Sequence, residues 1–456
     1  MTPLITRFET ELDFLALHRL NPQAYPVLFE SSLACFPHGQ WDILFAAAQG
    51  EGIYLYADGT TKDARGVVLP EGFFSALDAA WRKEHEGCSA SPQNVPVRFI
   101  GGWALLFDYE VVAHFEPVVQ LHIHPAPTQS VIAIALRCPV ALVRDHTDNA
   151  VYLVAEPDAY ALREQLVQDI QRAIQLPALL PWKPEFSLHE EPAHQFIARV
   201  KRALDYLRAG EIFQTNLSRP WQVDYAYRVD PADVFMRLRL HNPAPFAGIF
   251  AAHGRCVVSS SPERLVCVDR GVIQTRPIAG TCPRLTEENV HEVVERLKMH
   301  PKERAEHVML IDLSRNDLGR VCVPGSVIVD EYMMIESYAH VHHIVSNVRG
   351  SLRLGLGPSD ILRAVFPGGS ITGCPKIRCM QIITELETQR RAAYTGAMGW
   401  LGRNGALDLN ILIRTLEVDA CSVGFKTGAG IVIDSLPERE LEETRAKAKG
   451  LLKALT

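Results

Sequence analysis

The segment LPALLPWKPEFS carries Pro177, Pro181 and Pro184 within eight residues. Each proline removes a backbone donor and fixes φ, so neither a long helix nor a central strand can run through this stretch. The prolines read as a linker over residues 177–189 between an N-terminal domain, 1–176, and a larger domain, 190–456. At 456 residues the chain exceeds the roughly 250–300 at which one hydrophobic core stops growing, so two cores or an intertwined pair of segments is expected.

Before the prolines, VPVRFIGGWALLFDYE (Val95 to Glu110) sets β-branched and aromatic residues around Gly101 and Gly102. SVIAIAL followed by PVALVRD reads as a strand pair, and helix-period residues run from about Pro157 to Ile174. After the prolines, Phe196, Val200, Leu204 and Leu207 recur at helical spacing up to Gly210. No repeat of 20–50 residues and no low-complexity tract interrupts this pattern.

Charge narrows the choice of ligand. The 46 Lys and Arg against 53 Asp and Glu give a formal charge of -7, which excludes a global basic field for nucleic acid and leaves a small ligand with a local anion site. Ten cysteines are scattered without a CxxC pair, which suits neither a zinc ribbon nor a disulfide framework. The start, MTPLITRFETELDF, is acidic where a signal peptide would be basic and apolar, and no stretch approaches 18 uninterrupted apolar residues. A cytoplasmic protein with no membrane partner is expected.

Two acidic couples stand far apart in sequence. In PKERAEHVMLIDLSRNDLGR, Glu303, Glu306, His307 and Leu310 fall on one helical face, and in LPERELEETRAKAKG, Glu440 and Glu443 stand at i and i+3. Either couple alone suits a solvated acidic face. Together they offer a hard, oxygen-only donor set that fits Mg2+ rather than zinc. In HVHHIVS, His340 and His342 would share a strand face and His343 the other, so one metal cannot easily collect all three. A hydrogen-bonded buried histidine and a general acid or base both remain open there. FPGGSITGCPKIR, YTGAMGW and FKTGAGIVIDS each border an apolar run, and Gly428, Ala429 and Gly430 read as a turn that aims backbone N–H groups at an anion. Arg414 reads as a charge within an apolar strand, NILIRTLEV, paired either by a protein carboxylate or by a substrate's. None of the glycine runs matches a nucleotide-binding fingerprint.

Taken in order, FQTNLSR, SSSPERL, TRPIAGTCPR, AEHVMLIDLSRNDLGR, HVHHIVS, FPGGSITGCPKIR, IRTL, GAGIVIDS and EETRAKA resemble the chorismate-utilising enzymes, over residues 190–456 and more loosely before. The resemblance implies an α+β fold of the anthranilate synthase (chorismate-binding) type, with stacked antiparallel sheets, outer helices and a chorismate cleft. It implies Mg2+ held by Glu306 and Glu443, with Glu303 and Glu440 acting through water. It makes His343 the acid that helps the C4 hydroxyl leave, and Glu263 a catalytic glutamate. Arg414, Tyr394 and Gly428 to Gly430, with Ala429 between, match the clamp on the enolpyruvyl carboxylate, and Gly280 and Thr281 match contacts to the ring side.

Family members differ in their nucleophile. Those that use water resemble one another in a lysine base at the position of Gln214, and glutamine cannot deprotonate water, so ammonia is the implied nucleophile. QTNLS, HNPAPF, FPGGSITG and WDILFA resemble the aminodeoxychorismate synthase branch more than the anthranilate synthase branch. One feature pulls the other way: that branch usually shows PIKGT, whose lysine attacks C2, whereas Ala279 in PIAGT is no nucleophile. Amination then requires a route without the lysine adduct, with ammonia entering at C2 and again at C4 or another group as transient nucleophile, and Glu263 as the candidate base.

No Cys lies in a GxCxG elbow, so a separate glutamine amidotransferase subunit is the implied ammonia source. Ser31 and the run His38, Gly39, Gln40 and Trp41, with Pro245, Phe246 and Ala247, resemble the family's tryptophan pocket. Bound tryptophan and plain packing both remain open.

Overall fold

The computed structural model describes residues 2–8, 12–31, 39–88, 96–120, 124, 126–148, 150–177, 184–283, 301–337 and 341–456. They form a 12-stranded and an 11-stranded sheet. In the first, the order is Leu4–Phe8, Ala150–Ala155, Val140–Asp145, Trp41–Ala46, Val27–Glu30, Phe246–Ala252, Arg255–Ser261, Thr415–Val418, Ser422–Ile431, Gln214–Tyr225 and Phe186–Glu190, with the short Gly373–Cys374 also on Gln214–Tyr225. In the second, it is Ile278–Pro283, Val341–Ser351, Val272–Thr275, Arg264–Asp269, Leu407–Ile411, Ala397–Gly402, Gly102–Phe107, Val131–Cys138, Gly52–Tyr56 and Thr61–Asp63, with Ile328–Ser337 also on Val341–Ser351. The described pairings are antiparallel. Each sheet thus joins a block of strands from before the prolines to a block from after them. Part of the proline segment itself, Phe186–Glu190, is an edge strand.

Alternation along the strands explains the layering. Ile43 and Phe45 pack in a cluster with Ala104, Leu106 and Ile134 of the other sheet, so this core lies between the sheets. Leu44 and Ala46 point the opposite way, to helices Phe14–Leu20, Tyr160–Ala173, Pro231–His241 and Pro437–Leu455. Trp103, Leu105 and Phe107 turn from the second sheet to helices Phe73–Glu86, Ala193–Arg208, Pro358–Val365 and Lys376–Leu386. The result is a helix, sheet, sheet, helix stack. Strands covered on both faces read as continuous apolar runs, which is why WDILFA and WALLF lack polar alternation. Phe196, Val200, Leu204 and Leu207 are buried on one face of Ala193–Arg208, at the expected spacing.

The strand pair expected from SVIAIAL and PVALVRD does not form. Val131–Cys138 belongs to the second sheet and Val140–Asp145 to the first. Only Pro139 separates them, too few residues for a hairpin turn, so the chain crosses between sheets instead.

Candidate functional site

Two other crossings between the sheets are only two or three residues long, and both carry charge. Arg255–Ser261 in the first sheet continues into Arg264–Asp269 in the second, with Glu263 at the crossing. Leu407–Ile411 returns to Thr415–Val418, with Arg414 at that crossing in a left-handed conformation, φ 51°. Arg414 is therefore outside the strand in which the sequence placed it. The three serines before Glu263 lace the crossings together. Ser261 Oγ donates to Ile411 O at 2.6 Å, Ser260 N to Arg414 O at 3.1 Å, and Ser259 Oγ meets Thr415 Oγ1 at 2.8 Å.

Glu263 is 7% exposed, and burial pushes its carboxyl up to about 7. The Ser370 hydroxyl, donating to Oε1 at 2.6 Å, acts against that rise, as do the charges of Lys447 and Arg414. A carboxyl poised near neutrality can give or take a proton, the property expected of acid–base groups. Burial pulls Arg414 below its ordinary range, with Glu263 opposing. Its guanidinium makes no hydrogen bond or ion pair among the described residues, so its planar fork is available to a carboxylate.

Gly428, Ala429 and Gly430 lie within the strand Ser422–Ile431, paired with Ser218, Leu217 and Asn216. This corrects the turn expected from their sequence: antiparallel pairing with Gln214–Tyr225 extends the backbone. Ala429 faces the apolar core. Gly428 and Gly430 face the other way, where a side chain would not fit. A Cβ on Gly428 would stand 2.6 Å from the Tyr394 hydroxyl, and one on Gly430 2.7 Å from Gln214 Nε2. These glycines form a floor on which Tyr394 and Gln214 rest.

One glutamate of each acidic couple is linked to this floor. Glu306, on helix Pro301–Gly319, accepts a hydrogen bond from Gln214 Nε2 at 3.0 Å, and its Oε1 lies 3.8 Å from where a Gly430 Cβ would be. From helix Pro437–Leu455, Glu443 pairs with Lys447 Nζ at 2.7 Å, and the same ammonium donates to Gly428 O at 3.0 Å. Glu440 is buried one turn before Glu443. The Glu303 side chain lies outside the described residues. Among the described residues no three His, Cys, Asp or Glu side chains converge to hold a metal. The Glu306 and Glu443 carboxylates linked to the floor are nevertheless hard oxygen donors, with Glu440 buried one turn away, and this chemistry fits Mg2+.

His343 is 4% exposed on Val341–Ser351, opposite Thr281 on one side and Glu336 on the other. The Gly280 and Thr281 side-chain positions, His340, and the His342 side chain lie outside the described residues. Two functional candidates were missed in sequence. Lys447 bridges Glu443 and the glycine floor, but its i+4 spacing looks like an ordinary helical ion pair. Ser370 belongs to FPGGSITG, where only the fold brings its hydroxyl to Glu263.

The expected tryptophan pocket coincides in part with a cavity of about 100 Å³ lined by Gln40, Trp41, Pro245, Phe246 and Ala247. Ser31 and Gly39 are buried but do not line it; the Ser31 N–H donates to Asp42 Oδ1 at 2.9 Å. His38 lies outside the described residues.

At the crossings of stacked antiparallel sheets stand a near-neutral carboxyl and an available guanidinium, and Lys447 links that carboxyl to the glycine floor, a set of groups suited to a small anionic molecule. The chain belongs to the chorismate binding enzyme family, whose model matches residues 45–453. It is 38% identical over 480 residues to anthranilate synthase component 1 of Aquifex aeolicus, covering 100% of this chain and 94% of that one. It is 37% identical over 373 residues to aminodeoxychorismate synthase component 1 of Bacillus subtilis, covering 78% and 77%. The crystal structure of anthranilate synthase component I from Streptococcus pneumoniae matches with a TM-score of 0.78 at 30% identity, covering 92% of this chain and 93% of that one. The chain is thus a chorismate-utilising enzyme of the anthranilate/aminodeoxychorismate synthase component I type, with the α+β fold that the sequence resemblance implied. Among the described residues no helix is long and apolar enough to cross a membrane.

Proposed function

We propose that the chain is an aminodeoxychorismate synthase component I, which converts chorismate and ammonia to 4-amino-4-deoxychorismate and water on the way to 4-aminobenzoate and folate. The observation that carries a proton-transferring synthase is Glu263, buried, near pH 7 and hydrogen-bonded by Ser370 of the FPGGSITG segment. That spelling, on which the branch assignment leans, therefore lies at the site. Arg414 binds the enolpyruvyl carboxylate through its free fork, and Tyr394 closes over the glycine floor. His343 supplies the proton that leaves with the C4 hydroxyl. Gln214, already donating to Glu306, has no lone pair basic enough to activate water, which favours ammonia. A Mg2+ held by Glu306 and Glu443, with Glu303 and Glu440 acting through water, would neutralise substrate carboxylate charge and orient the ring. Ammonia comes from a separate glutamine amidotransferase subunit.

One observation favours anthranilate synthase component I as a second reading. Residue 279 is a buried alanine, so no lysine amine is present there to form the C2 adduct. Purified chain given chorismate, Mg2+ and an ammonium salt at alkaline pH separates the two. A product that becomes 4-aminobenzoate only after aminodeoxychorismate lyase is added supports the proposal. Fluorescent anthranilate as the main product refutes it.

A further inference from the structure

Beside the substrate floor lies a cavity of about 390 Å³, lined in part by Glu190, Arg390, Tyr394, Glu417, Gly424 and Lys426. Lys426, Gly428 and Gly430 alternate along one strand, so the cavity and the floor share a sheet face. Tyr394 belongs to both, its hydroxyl close to Gly428 and its body lining the cavity.

Most of the charged groups around this cavity stand in direct ion pairs. Glu190 pairs with Arg219 at 2.6 Å and Arg445 at 2.8 Å, Glu191 with Arg199 at 2.6 Å, and Glu417 with Arg255 at 3.1 Å. Arg390 is held by Asp108 at 2.9 Å and Arg391 by Glu387 at 2.7 Å. Lys426 lines the same cavity, yet it makes no hydrogen bond or ion pair among the described residues. Burial draws its pKa below the ordinary lysine range, with the charges of Glu387, Glu110 and Glu417 opposing from beyond hydrogen-bond reach.

We propose that this cavity is a second small-molecule site that binds an organic monocarboxylate, with Lys426 as its counter-ion. One ammonium without a direct partner suits one carboxylate group. A phosphate-like dianion would instead face Glu190, Glu191 and Glu417. The volume falls within the range of about 300–1,000 Å³ typical of small-molecule pockets and exceeds the needs of an inorganic ion. The proposal does not depend on which amine the enzyme makes.

The test uses benzoate as the probe and benzamide as its uncharged control, followed by calorimetry on the full chain. Benzoate is expected to bind saturably and benzamide not at all. Lys426→Met should weaken benzoate by about tenfold or more, as loss of a charge-assisted contact does. Arg414→Ala should leave it within about twofold, because that residue serves the substrate cleft. Without ligand, Lys426→Met should melt at or above the wild-type temperature, since an unpaired buried ammonium is removed. The proposal is overturned if wild type shows no saturable binding, if Lys426→Met binds as wild type does, or if Arg414→Ala abolishes binding. It is equally overturned if Lys426→Met melts well below wild type or fails to fold, because Lys426 would then have a structural partner.

Discussion

Replacing Glu263 by Gln should remove activity and stabilise the protein, with a gain that depends on pH. Burial lifts the carboxyl from its ordinary 4.5 to about 7. At 1.36 kcal/mol per pH unit, that difference corresponds to roughly 3 kcal/mol. The sign follows from the protonation of each state. Below about pH 4.5 the carboxyl is protonated in both the folded and the unfolded chain, and Glu263 contributes as a neutral glutamine would. Between about 4.5 and 7 the unfolded chain ionises while the folded one holds its proton, so the wild type loses stability as pH rises through this window. Above about 7 both are ionised and the deficit levels off. Glu263→Gln keeps an acceptor for the Ser370 hydroxyl and carries no such deficit. Denaturant midpoints of the two proteins should coincide near about pH 4 and separate by up to roughly 3 kcal/mol near about pH 8, with the variant the more stable. An advantage equal at both pH values, or a variant less stable at pH 8, would refute the reasoning about burial.

Glu443→Ala should abolish Mg2+-dependent chorismate turnover while leaving the circular dichroism spectrum intact; an unchanged Mg2+ dependence would remove the metal assignment. Gly428→Ala places a Cβ 2.6 Å from the Tyr394 hydroxyl, 2.7 Å from Asn216 Oδ1 and 2.8 Å from Leu217 O. Its KM for chorismate should rise by about tenfold or more, since 1–3 kcal/mol is the usual penalty of overpacking, and a steady-state KM equal to wild type would show that the floor is not used. Arg391 is fully buried and donates to both Glu387 oxygens, Ile371 O, Asn216 O and Thr395 Oγ1. Arg391→Met strands the buried Glu387 and should cost about 3–5 kcal/mol, read as a large drop in thermal midpoint.

Much of the site could be read from sequence because its parts are short local patterns. Glu306, Glu443, Arg414 and Glu263 each sit in a recognisable string, and helix Ala193–Arg208 follows from spacing alone. The departures came where distant segments decide the conformation. Gly428 to Gly430 looked like a turn because a GAG triplet permits one, but partners more than 200 residues away, at Asn216 to Ser218, hold it extended. SVIAIAL and PVALVRD have the residues of strands, yet period-2 patterning is silent about partners, and their neighbours are Gly52–Tyr56 and Gly102–Phe107 in one sheet and Trp41–Ala46 and Ala150–Ala155 in the other. The role of Ser370 depends on a contact across 107 positions, which local pattern does not encode.

The two-block construction of the sheets bears on how the polypeptide tolerates being cut. In each sheet one seam joins the blocks, Val27–Glu30 to Phe246–Ala252 in the first and Gly102–Phe107 to Ala397–Gly402 in the second. Severing the chain in the proline segment would give two fragments, each with two raw strand edges that are central in the intact fold. Alone, such fragments are aggregation templates. Co-expressed, they carry complementary edges and apolar faces, so the cleavage point suits a split-protein reporter whose activity returns only when the halves zip together.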